Sequence, residues 1–243
     1  MITLRRSAER HHVQAGLRNV WSTFHSERSR APVVVGFETL MAFDEGLIPP
    51  GASVPLFPLH DAEVITYVFE GALACKRPTG RSGVTYAGEF QHGSAVGGHL
   101  EANASQSAWA RIFQISLRPL AGRARHGGET ERFSIAQRRG VLCMIASHDG
   151  RRGSLRLDSD AQVHSAVLDS GRHLACELAP RSRAWLHVVA GEVQVGDAVL
   201  AAGDGAGISE EHAVSLISRD ASEILLVVLA EPREGISGAG LAP

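Results

Sequence analysis

The chain has 243 residues, 44% apolar and 21% charged, with a formal net charge of −2, the profile of a globular protein long enough for one large or two small domains. That charge balance gives no reason to expect a nucleic-acid partner. Only Met1 to Leu4 precede Arg5 and Arg6, and the longest uninterrupted apolar run, Ile224 to Ala230, has seven residues, so neither a signal peptide nor a membrane span is expected.

The 26 glycines fall between short runs rich in Val, Ile, Leu and Ala, a pattern of many strands joined by tight turns, and helical periodicity is scarce. In chain order the predicted strands are Ala62 to Val68, Ala110 to Leu117, Val163 to Leu168, Leu186 to Val189 and Glu223 to Leu229. Several lack clean alternation, as expected of strands covered on both faces. Cysteines stand at 75, 143 and 176 with no Cys-x-x-Cys pair, which points to a reducing, cytoplasmic setting. Free cysteines of this kind are more often buried and inert than redox-active.

The chain repeats itself at a period of 120 residues: Gly51 to Gly71 is a step of 20, and so is Gly171 to Gly191. Thr66-Tyr67-Val68-Phe69-Glu70-Gly71 corresponds to Leu186-His187-Val188-Val189-Ala190-Gly191, and Gly88-Glu89 to Gly203-Asp204. Two copies of one barrel follow. The expected organisation is all-β, with a first barrel over 1–118, a linker over 119–140, a second barrel over 141–232 and a flexible tail over 233–243. The linker carries Arg118, Arg123, Arg125, Arg132, Arg138 and Arg139 among Glu129 and Glu131, a composition read as solvated.

Two segments carry a resemblance. Gly51 through Gly71 resembles the first signature of a cupin barrel of the pirin family: Gly, five residues, His-Pro-His, three residues, Glu, then a strand ending in Glu-Gly. Gly88-Glu89-Phe90 through His99-Leu100-Glu101-Ala102-Asn103 resembles the second, with its His-x-Glu-x-Asn, although the loop before His99 is two residues short of the family pattern. Trp21-Ser22-Thr23-Phe24, Gly36-Phe37-Glu38-Thr39-Leu40 and Gln114-Ile115 resemble further blocks of that family. The resemblance implies two cupin barrels (double-stranded β-helix, or jelly-roll) with few short helices, and a centre of three imidazoles and one carboxylate in the first.

Here the His-Pro-His positions hold Phe57, Pro58 and Leu59, and neither Phe nor Leu offers a lone pair. Facing inward, Phe57 and Leu59 would fill the space of a metal and its waters. His60 has the opposite parity; Asp61 and Glu63 share the inward one. A rearranged metal site of His99 and Glu101 with Asp61 or Glu63 is one reading. In the other, Asp61 and Glu63 bond to backbone, and His99 and Glu101 bond to each other or to a ligand. The second barrel has Glu177, Leu178 and Ala179 at the equivalent positions and an isolated His212, while His187 reads as a core or interface histidine.

The expectation is thus a bicupin that has lost its metal centre and holds no cofactor, binding a small apolar or aromatic molecule or a protein as a module of regulatory use. The alternative is a metal-dependent dioxygenase of the quercetinase type, an oxidoreductase using a divalent transition ion such as iron.

Overall fold

Strand Glu63–Glu70 shows how the sequence builds this protein. Ile65 and Tyr67 point to one face, Thr66 and Val68 to the other, and all four are at most 5% exposed, so a period of two carries two cores rather than a core and a solvent face. The computed structural model describes residues 1–24, 36–55, 62–76, 82–94, 100–120 and 129–230. Each predicted strand is present: Ala110–Leu117 has the expected bounds, Glu63–Glu70 starts one residue later and ends two residues later than expected, and the other three extend beyond their expected bounds at one end or both.

The first barrel pairs a seven-stranded with a four-stranded sheet. The larger runs Thr130–Arg132, Glu89–Ser94, Glu63–Glu70, Ala110–Leu117, Leu40–Ile48, Arg18–Ser22 and His11–Ala15; the smaller runs Ser53–Pro55, Leu100–Asn103, Ala72–Lys76 and Ser82–Tyr86. The second barrel repeats the plan, with a larger sheet of Ile2–Arg5, Gly205–Ile208, Arg183–Ala190, Ser222–Leu229, Ala161–Leu168, Cys143–Ser147 and Leu155–Arg156. Its smaller sheet contains His173–Glu177, Ala213–Ser218, Glu192–Val195 and Ala198–Ala201. Among the described residues the one α-helix is Ile135–Arg138, capped by Ser134, and no helix is long and apolar enough to cross a membrane.

The two larger sheets pack against each other. Phe43, Ile65, Tyr67, Phe90 and Phe113 of the first join Val163, Trp185, Leu225 and Val227 of the second in one apolar cluster. Ile48, Val68, Leu73 and Ile112 lie instead inside the first barrel, and Leu186, Val193, Leu216 and Leu226 inside the second. The repeat is visible in the turns. Gly71 and Gly191 have φ of 79° and 74°, and a Cβ on either would fall 2.6 Å or 2.3 Å from a backbone oxygen, so both positions require glycine.

The barrels are not separated as the expected boundaries have it. Strand Ile2–Arg5, counted in the first barrel, pairs antiparallel with Gly205–Ile208 of the second. Within the expected linker, Thr130–Arg132 pairs with Glu89–Ser94. Arg138 is 2% exposed rather than solvated: it donates to Phe133 O, Ser165 Oγ and Glu223 Oε1 and lies over the Tyr67 ring. Burying a guanidinium is tolerable here because acceptors surround it.

Candidate functional site: the interior of the first barrel and the cleft of the second

Leu100–Asn103 sets Glu101 and Asn103 at alternate positions of the smaller sheet, and both are 3% exposed. Asn103 is a structural clamp: its amide donates to Ile48 O at 3.0 Å and Ala108 O at 2.8 Å, and its oxygen accepts from Ser105 N–H. Glu101 spans the barrel. Its Oε1 accepts from Gln114 Nε2 at 3.0 Å on the opposite sheet, and its Oε2 faces Arg18 Nη1 at 3.3 Å. Arg18 Nη2 closes the cycle by donating to Gln114 Oε1 at 2.6 Å, while Gln114 Nε2 also lies 3.2 Å from Thr66 Oγ1.

Burial pushes the Glu101 carboxyl above the usual carboxylate range, and Arg18 and Gln114 oppose that shift. The strand Arg18–Ser22 brings Arg18 and Val20 to one buried face, at 0% and 1% exposure. That shared parity was the available signal for Arg18, but a lone arginine in a five-residue strand reads as a surface residue. Gly46 provides the space: a Cβ there would lie 2.6 Å from Arg18 Nη2.

Glu63, the other described member of the predicted carboxylate set, points elsewhere. Its oxygens accept from the backbone N–H of Ser159 at 2.7 Å and Asp158 at 2.8 Å, both in the second half of the chain, and Oε2 lies 3.1 Å from His92 Nε2. Its role in this geometry is to join the two barrels. Phe57, Leu59, His60, Asp61 and His99 lie outside the described residues, so Glu101 and Glu63 are the members of the set that can be located, and they do not meet.

In the second barrel Leu178 is buried and Glu177 and Ala179 are exposed, as is His212. His187 is at 0% exposure between the barrels, with Phe43 at 4.3 Å and Phe113 at 5.7 Å between ring centroids. A cleft of about 470 Å³ opens at the rim of this barrel, lined in part by His148, Asp149, Asp160, His164, Cys176 and Glu177. His164 is 7% exposed and its Nε2 donates to Gln162 Oε1 at 3.3 Å. Burial, with Arg151 and Arg152 nearby, holds its pKa down to about 4, so the imidazole is neutral at pH 7. Burial also raises the Cys176 and Cys143 thiols, and Cys75 is buried with its Sγ 3.3 Å from Gln91 Oε1. Protonated thiols are poor nucleophiles and poor metal ligands. Among the described residues no group of three or more His, Cys, Asp or Glu side chains is arranged to hold a metal ion.

Comparison with known proteins places these features. Residues 144–229 match the family model described as the quercetinase C-terminal cupin domain. A quercetin 2,3-dioxygenase of Escherichia coli (strain K12) is 31% identical over 93% of this chain and 97% of its own length. The crystal structure of YhhW from Escherichia coli superposes with a TM-score of 0.85 at 30% identity, covering 95% of this chain and 98% of that one. The bacterial pirin YhhW in complex with nickel(II) superposes with a TM-score of 0.82 at 29% identity, covering 94% and 99%.

Proposed function

This chain belongs to the pirin family of cupins, and from that premise we propose that it is a pirin-like bicupin whose first barrel has lost the four-ligand metal centre and which works as a small-molecule-binding module. The observation that carries the reading is the state of Glu101. Its two oxygens face Arg18 and Gln114, while two positions that the family gives to imidazole hold Phe57 and Leu59. A transition ion draws its affinity from neutral nitrogen and free carboxylate donors, and this donor set does not fit one. The module acts in the cytoplasm on a small apolar or aromatic ligand, for which the cleft beside His164 has the volume and the mixed lining of a ligand site. A neutral imidazole there suits a phenol or other uncharged hydroxyl.

Two measurements test this. Untagged protein purified without chelator, then incubated with iron, nickel, copper or manganese, is expected to retain no stoichiometric ion by plasma mass spectrometry. A panel of flavonols and simpler phenols is expected to contain at least one compound that raises Tm saturably.

The second reading is a metal-dependent dioxygenase of the quercetinase type using His99 and Glu101 with Asp61, and the 31% identity to a quercetin 2,3-dioxygenase favours it. It requires about one ion per chain, with metal uptake and flavonol ring opening both lost in a His99→Ala variant. Unchanged activity in that variant would sink it.

A further inference from the structure

We propose that Arg18 is the resident cation of the first barrel: its guanidinium supplies the positive charge beside Glu101 that a metal ion would supply, and it excludes such an ion even when imidazoles are restored at positions 57 and 59. The inference rests on the reading that the chain has lost its metal centre, and it adds a cause that the loss of two ligands does not contain.

Three observations carry it. First, a carboxylate at 3% exposure needs a counter-charge or a proton, because desolvating an anion without a partner is costly. Among the described residues Arg18, at 0% exposure, is the cation paired with it. Arginine cannot discharge itself by losing a proton as a buried lysine can.

Second, the arginine is built in rather than folded over from the surface. Its Nη1 lies 3.3 Å from Glu101 Oε2 and its Nη2 2.6 Å from Gln114 Oε1, and Gln114 returns to Glu101 Oε1 at 3.0 Å. The three side chains come from three strands of two different sheets, so they meet across the interior. Third, the neighbouring strand carries no side chain where the guanidinium lies. A Cβ at Gly46 would lie 2.6 Å from Arg18 Nη2, 2.8 Å from Nε and 3.0 Å from Cζ.

A divalent ion coordinated by Glu101 would share the carboxylate with Arg18 and Gln114, and would sit a few ångströms from a guanidinium in a medium of low polarity. Like charges at that separation repel strongly. Restoring two neutral imidazoles adds donors but does not remove the cation, so restoration alone does not rebuild the centre.

The test compares nickel(II) content and calorimetric affinity in the full chain for the wild type, for Phe57→His/Leu59→His, and for Phe57→His/Leu59→His/Arg18→Leu, with circular dichroism as a check of folding. The wild type and the double variant are expected to retain no stoichiometric nickel. The triple variant is expected to take up about one ion per chain and to bind roughly 10–100-fold tighter than the double, the range over which groups around a site move metal affinity. A further Glu101→Ala change should abolish that uptake.

A double variant that binds as tightly as the triple overturns the role of Arg18 while leaving the lost-centre reading intact. A wild type that already holds about one ion overturns the lost-centre reading itself. A folded triple variant without metal also counts against the proposal. If the triple variant does not fold, Arg18→Gln in the double-variant background decides: the neutral, hydrogen-bonding glutamine should admit nickel, and a folded variant that binds no more nickel than the double overturns the proposal.

Discussion

His187 of the second barrel lies on Phe43 of the first, with ring centroids 4.3 Å apart and neither ring nitrogen hydrogen-bonded. A histidine in such a place is used as a flat apolar ring. Burial, with Arg10 and Arg111 nearby, holds its pKa well below the usual histidine range, and His164 is held down to about 4.

Both imidazoles therefore stay neutral in the fold and take a proton once the chain unfolds below about pH 6.5. Below that pH the unfolded state binds more protons than the native one, so stability falls as pH falls, by about 1.4 kcal/mol per pH unit per histidine. For His164 the loss ends near pH 4, and for His187 it runs on well below pH 6.5. Urea denaturation of wild type and His187→Leu at pH 7, 6 and 5 should show the variant losing less stability on acidification. Parallel pH dependences would count against a neutral buried His187.

Glu63 contributes to the junction of the barrels through bonds to residues 95 and 96 positions away. Glu63→Ala leaves the backbone N–H groups of Asp158 and Ser159 without their acceptor, at about 1–3 kcal/mol each. Glu63→Gln keeps one oxygen in place and should cost clearly less. Equal losses in urea midpoint for the two variants would mean that another acceptor takes over.

Gly191 and Gly88 offer a paired test of the turns. Both have positive φ, 74° and 86°, but a Cβ at Gly191 would lie 2.3 Å from Ala221 O whereas one at Gly88 meets nothing within 4 Å. Alanine at Gly88 should cost about 1 kcal/mol for the left-handed backbone alone. Alanine at Gly191 must also displace backbone, and a thermal unfolding comparison should place it at least about 2 kcal/mol lower.

What could be read in the sequence and what could not divide by range. The strands around Tyr67 and Val188 were legible because apolar runs and turn glycines are local, and the second copy at a spacing of 120 residues confirms the first. The pairing of Ile2–Arg5 with Gly205–Ile208 was not, because a strand's own residues do not encode its partner. Arg138 was misread from a neighbourhood rich in Arg and Gly; its partners Tyr67 and Glu223 lie far away in sequence. Of the predicted site, Glu101 is in the interior of the first barrel and Glu63 is at the junction. What the motif could not give was Arg18, whose meaning comes from Gly46 on the adjacent strand and Gln114 on the strand beyond it.

The Arg18–Glu101 pair also makes a prediction about stability apart from any metal. Arg18→Leu strands a buried carboxylate and should cost about 3–5 kcal/mol, whereas Arg18→Leu/Glu101→Leu removes both charges and should recover much of that loss. The pH dependence separates charge from packing. Burial already raises the Glu101 pKa above its ordinary value, and losing Arg18 raises it further. Between the unfolded value near 4.5 and the raised one, the native state binds more protons, so the stability of Arg18→Leu should fall as pH rises through that window and level off above it. A deficit independent of pH, left unrepaired in the double variant, would mean that Arg18 serves only to fill space beside Gly46.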